Sequence, residues 1–217
     1  MKRPVLSAVI AIIVVFLGLI AAGAATSGKT VLVQQAVLPG SPERVWPFFA
    51  DLQGWPSWYR ADDGTRMTYS VLTRGAAPGR HAVRHAEESH GTWWEEEVTA
   101  FDLNSRLEMV GYNTPGRKNW RQEVKLVAIG PQETRVTWTL EYEVSGPIMK
   151  LINKYRDEKY FQAYMEGGLK NIRPLIPSPE EWGPESIGLA TQPAQTIDVE
   201  SKGRANEGEA NKTPAAH

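Results

Sequence analysis

The change of hydrophobic period at Gly146-Pro147 limits the possible folds more than any other feature of this chain. Before it, Val136, Trp138, Leu140, Tyr142 and Val144 alternate with Thr137, Thr139, Glu141 and Glu143. Strict alternation describes a strand with one face buried and the other wet. After it, Ile148, Met149, Leu151, Ile152, Tyr155, Phe161, Tyr164, Met165, Gly168, Leu169 and Ile172 recur at spacings of three and four. That pattern predicts a helix from about Pro147 to Arg173, roughly 40 Å long at about 1.5 Å per residue. Its apolar stripe needs a large partner surface, and the apolar face of a sheet supplies it. Gly167 and Gly168 lower helix propensity, so they are expected at a bend or a close approach to the sheet.

The residues before Thr134 read as an antiparallel meander. Strands are predicted over Val31–Leu38, Arg66–Leu72, Arg80–Glu88, Thr92–Phe101, Arg106–Tyr112 and Lys118–Ile129, with turn-forming residues between them. Trp120, Gln122, Val124, Leu126 and Ala128 share one strand face; Asn119, Arg121, Glu123 and Lys125 share the other. Two registers are open for Thr92–Phe101. With Val98 inward, Trp94, Glu96 and Ala100 face the interior; a one-residue slip turns Trp93, Glu95, Glu97, Thr99 and Phe101 inward instead. The first register is preferred, and it gives Glu96 a burial that demands a partner. A solvated or edge face is the alternative for all three glutamates. Between the first two strands, Ser41 as N-cap and Pro42 at the first helical position predict a helix over about Pro42–Ala50. Pro47 marks a point where it kinks or stops early. A short helical or turn segment follows at Asp51–Tyr59, where Trp46, Trp55 and Trp58 are expected to pack the helices on the sheet.

Several function classes are disfavoured. The formal net charge of −1 offers no basic field to nucleic acid. The absence of cysteine removes disulfides, thiolate zinc sites and cysteine nucleophiles. His81 and His85 lie four apart on a predicted strand, roughly 13 Å, too far to share one ion. Arg80, Arg84, Arg117, Lys118 and Arg121 interleave with glutamates and read as a charged, solvated face. No serine sits in a nucleophile elbow and no glycine-rich phosphate loop is present. No catalytic residue, metal or cofactor is assigned. Eight tryptophans supply a large aromatic surface, for a core or around a ligand.

The amino-terminal segment 1–28 contains the uncharged apolar run Val5–Ala25, long enough for a bilayer core. Lys2 and Arg3 precede it, which predicts a single span with the amino terminus inside and the domain extracytoplasmic. A signal peptide cleaved near Ala22–Ala25, leaving a secreted domain, is the alternative. Residues 177–217 are rich in Pro, Glu, Ser, Asn and Gly and are expected to be a disordered tail.

One strand, two short helices, about six further antiparallel strands and a long carboxy-terminal helix resemble the helix-grip fold of the START-like (SRPBCC) superfamily, an α+β class with about seven strands. The resemblance is carried by SPERVWPFFADLQGWPSWYR (Ser41–Arg60), WWEEEVTAFDLNSRLEM (Trp93–Met109), TRVTWTLEYEVSG (Thr134–Gly146) and EGGLKNIRPL (Glu166–Leu175). Within the superfamily the chain is similar to the polyketide cyclase/dehydrase and lipid-transport family over residues 30–176. That resemblance implies a sheet curled around the long helix with a ligand cavity between them.

The leading expectation is a tethered module that binds or transports a hydrophobic small molecule or lipid. Tyr69, Trp94, Met109, Trp120, Trp138, Leu140 and Tyr142 would line the sheet side of its cavity. Phe161, Tyr164, Met165 and Leu169 would line the helix side. Gln122, Glu96 and His85 are the candidate polar groups. The alternatives are an aromatase/cyclase-like enzyme using Glu96 and His85, and a structural envelope domain whose side chains fill the cavity.

Overall fold

The computed structural model describes residues 3–59, 67–71, 79–88 and 92–177. The tail and the predicted strand ends at Arg66 and Leu72 lie outside them. The elements are helix α1 (Arg3–Ala25), strand β1 (Lys29–Pro39), helices α2 (Pro42–Ala50) and α3 (Trp55–Trp58), and strands β2 (Met67–Val71), β3 (Val83–Glu88), β4 (Trp93–Asp102), β5 (Arg106–Tyr112), β6 (Arg117–Gly130) and β7 (Glu133–Val144). Helices α4 (Pro147–Ile152) and α5 (Glu158–Ile172) complete the fold.

All seven strands form one antiparallel sheet in the order β1-β7-β6-β5-β4-β3-β2. The first and second strands in the chain therefore occupy opposite edges. Helices α2 and α3 lie between these two strands in the chain. The residues of β4, β6 and β7 alternate as their hydrophobic pattern requires. Trp94, Glu96, Val98 and Ala100 are buried on β4, so the register with Val98 inward is the one adopted. Trp120, Gln122, Val124 and Leu126 are buried on β6, and Val136, Trp138, Leu140, Tyr142 and Val144 on β7.

Local signals act differently in two places. Ser41 occupies the N-cap with extended backbone, but its hydroxyl makes no cap. It engages the Glu43 side chain, holding that carboxyl below the usual range. Pro47 does not end α2, which runs on to Ala50 although the proline has no N–H to donate to Glu43 O; its own carbonyl accepts from Asp51 N–H at the C-cap. The long carboxy-terminal helix is divided: Asn153–Asp157 is a π-helical stretch between α4 and α5. The wider turn brings both Asn153 and Asp157 to the buried side. Asn153 Nδ2 donates to Thr30 Oγ1 at 2.8 Å and Asp157 accepts from Arg117 Nη2 at 2.9 Å.

Helix α5 turns Phe161, Tyr164, Met165, Leu169 and Ile172 inward. Gly168 is buried where an added Cβ would stand 3.1 Å from Tyr59, 3.2 Å from Trp58 and 3.5 Å from Trp138. The glycine lets the helix approach α3 and the β7 tryptophan, as its sequence position suggested.

Candidate functional site

Aromatic rings pack in two groups between the sheet and α5. Around Trp138 on β7 stand Phe49, Trp55, Trp58 and Tyr59, with ring centroids 5.1–6.4 Å away. Tyr164 joins through Tyr59 at 5.4 Å. Around Trp120 on β6 stand Trp94, Tyr142 and Phe161 at 5.3–5.8 Å. Edge-on and offset arrangements dominate, as ring quadrupoles favour.

A polar network lies between these groups. Arg84 and Glu96 are opposed in the β3–β4 register, and both side chains are 0% exposed. Arg84 Nε donates to Glu96 Oε2 at 2.6 Å. Trp120 Nε1 donates to Glu96 Oε1 at 2.8 Å, and Gln122 Nε2 donates to the same oxygen. Gln122 Oε1 in turn accepts from Trp138 Nε1 at 3.1 Å. The Arg84 guanidinium also stacks 3.9 Å above the Trp55 ring, so one edge of the cation meets the carboxylate and one face meets the indole. Gly111 makes this geometry possible. It sits opposite Glu96 on β5, and a side chain there would overlap the Trp120 indole.

Trp94, Glu96, Met109, Trp120, Gln122, Trp138, Leu140, Tyr142, Phe161, Tyr164, Met165 and Leu169 are all buried within this interior. Burial pushes the Tyr142 phenol up to about 12. The backbone of Tyr69 pairs with Ala86 on the edge of the sheet; its side chain lies outside the described residues. His85 does not face inward. Its ring stacks on Trp93, 5.3 Å between centroids, on the opposite face of the sheet. Ala82, Arg84 and Ala86 take the inward positions of that segment, and alternation sends His85 out.

Arg84 is therefore not part of a solvated charged face. The signal that marks it is the spacing Ala82-x-Arg84-x-Ala86: two small neighbours leave room for one long side chain. Arg117 is also withdrawn from solvent, paired with Asp157 and stacked 4.9 Å from Phe161. The expected solvated charges do exist on the outer face. There Arg106 bonds Glu123 at 2.7 Å, and Arg121 bonds Glu108 at 2.8 Å. His81 bonds Glu97 at 2.8 Å.

An antiparallel sheet gripping a carboxy-terminal helix, with an aromatic interior holding a polar centre, defines a helix-grip domain of the START-like class. Residues 29–176 match the family described as polyketide cyclase/dehydrase and lipid transport, and the chain belongs to that family. Among solved structures, a Thermus thermophilus protein is similar at TM-score 0.55 and 20% identity, covering 68% of this chain and 97% of that one. A START superfamily protein from Mycobacterium smegmatis is similar at 0.52 and 15%, covering 68% and 99%. A norcoclaurine synthase point mutant from Thalictrum flavum, in complex with a transition-state analogue, is similar at 0.51 and 10%, covering 70% and 96%. These similarities establish the fold. No curated protein matches the sequence. Helix α1 contains one segment, Ser7–Ala25, long and apolar enough to cross a membrane.

Proposed function

We propose that this protein is a membrane-tethered binding or transport module that holds a hydrophobic small molecule or lipid between the sheet and α5. The observation that carries the reading is the fully enclosed Arg84–Glu96–Gln122 network amid aromatic walls. Stability alone does not account for it, because apolar replacements of a buried ion pair are often neutral or stabilising. A few fixed polar groups in an apolar interior are what orient the polar end of a hydrophobic ligand. Membership of a family that includes lipid transport supports the same reading. Tyr69, Met109 and Leu140 from the sheet and Met165 and Leu169 from α5 complete the proposed lining. Helix α1 would hold the domain at the bilayer, close to a source of such ligands.

The test is native mass spectrometry of the full chain in mild detergent, with solvent extraction of whatever co-purifies. One hydrophobic molecule per chain is expected, with reduced occupancy in Gln122→Met. A chain that carries nothing, and whose tryptophan fluorescence ignores a panel of lipids and quinones, overturns the reading. The close ring packing around Trp138 then favours a structural domain with a filled interior.

A further inference from the structure

We infer that the segment Pro147–Arg156 is a docking surface for an anionic bilayer, held there by a direct joint with α1. The inference rests on the reading of α1 as a membrane span. At about 1.5 Å per residue, the 23 residues of α1 reach roughly 34 Å, a little more than a bilayer core. The last turn of α1 therefore lies at the level of the headgroups.

That last turn touches the domain directly. Gly23 is buried against Pro147, and any side chain on it would overlap the Pro147 carbonyl. Thr26 Oγ1 donates back to Ala22 O at 2.9 Å, closing the helix end, and five residues after Gly23 the chain is tied to the sheet, where Val144 N–H donates to Gly28 O at 2.8 Å. No slack linker separates the span from the domain. Pro147 is fixed at the depth of Gly23, and the residues after it are fixed near the bilayer surface.

The chemistry of these residues suits that depth. No residue of helix α4 is fully buried, although Leu151 and Ile152 are half-buried. Ile148 is 43% exposed, Met149 40% and Tyr155 70%. Lys154 and Arg156 are exposed beside them, and Lys150 lies alongside Gly28. Apolar side chains and a tyrosine rimmed by lysine and arginine form an interfacial surface. Asp157 pairs with Arg117 and Arg156, and Glu158 with Lys154, so the two acids offset part of this charge; Lys150, Lys154, Arg156 and Arg117 against them leave a surplus of two positive charges. Trp93 opens β4 and Tyr112 closes β5 at the same end of the sheet, and both are exposed aromatics. A surface cavity of about 190 Å³, bordered by Gly116, Arg117, Met149 and Arg156, opens there too.

The absence of native cysteine permits single-site labels. Met149→Cys and, at the far end of the strands, Leu103→Cys carry an environment-sensitive fluorophore in the full chain. Each is reconstituted into phosphatidylcholine vesicles with or without phosphatidylglycerol. Flotation confirms insertion, and lipid-borne bromine and aqueous iodide serve as quenchers. The label at 149 is expected to be quenched by brominated lipid, more strongly with phosphatidylglycerol, while the label at 103 responds to iodide only. Lys150→Glu with Lys154→Glu is expected to abolish the phosphatidylglycerol effect several-fold while the chain still floats. Equal iodide access at 149 and 103 in a floating chain overturns the surface and leaves the span intact. Failure to float overturns both.

Discussion

Glu96 and Arg84 meet across β3 and β4 without solvent, so each supplies the counter-charge the other needs. Removing one partner alone leaves a buried charge, which costs about 3–5 kcal/mol. Arg84→Met is expected to lose that much in denaturant melts of the full chain in detergent. Adding Glu96→Gln removes the stranded charge while keeping an acceptor for Trp120 and Gln122, and should recover more than half of the loss. A cost below about 1 kcal/mol for Arg84→Met would show that water reaches the pair. The same residues mark the boundary of what the chain shows by itself. Alternation places Glu96 inward once Val98 does. It does not say that Arg84 stands opposite, because cross-strand register depends on the β3–β4 pairing.

Among the elements, α5 depends most on a single small residue. Gly168 sits within van der Waals contact of Trp58, Tyr59 and Trp138. An alanine there would gain about 1 kcal/mol in helix propensity and press on two rings. A valine has no such balance: its branches enter the space of Trp58 and Tyr59. Gly168→Val is expected to destabilise by about 1–3 kcal/mol, as overpacked cores do, and to shift tryptophan emission as Trp58 moves. Unchanged stability and emission would mean that α5 is free to stand off from α3. The division of the helix at Asn153–Asp157 belongs to the same scale. The apolar period runs through it, yet the polar partners Thr30 and Arg117 come from strands far away in the chain. Period alone cannot reveal an interruption set by such contacts.

For the molecule as a whole, the proposed membrane span of α1 would decide where the aromatic interior is presented. A retained span keeps the full-length mass and stays with membranes through an alkaline carbonate wash. That is the expected outcome for this chain, measured by intact mass spectrometry of the membrane fraction. A shorter mass, beginning near Thr26, together with release into the wash, would identify a cleaved segment and a free domain.

The strands, both short helices and the inward faces of β4, β6 and β7 follow from the sequence, because period and turn chemistry are local. The burial of the sheet's aromatic residues follows too, because alternation assigns a face to each residue. Tertiary structure alone decided that Arg84 is inside and His85 outside, since charge reads as solvated until a partner is placed beside it. It also decided the passage of Trp120 over Gly111 and the joint between α1 and α4. Each of these joins residues distant in the chain, and their geometry is set by which strands and helices meet.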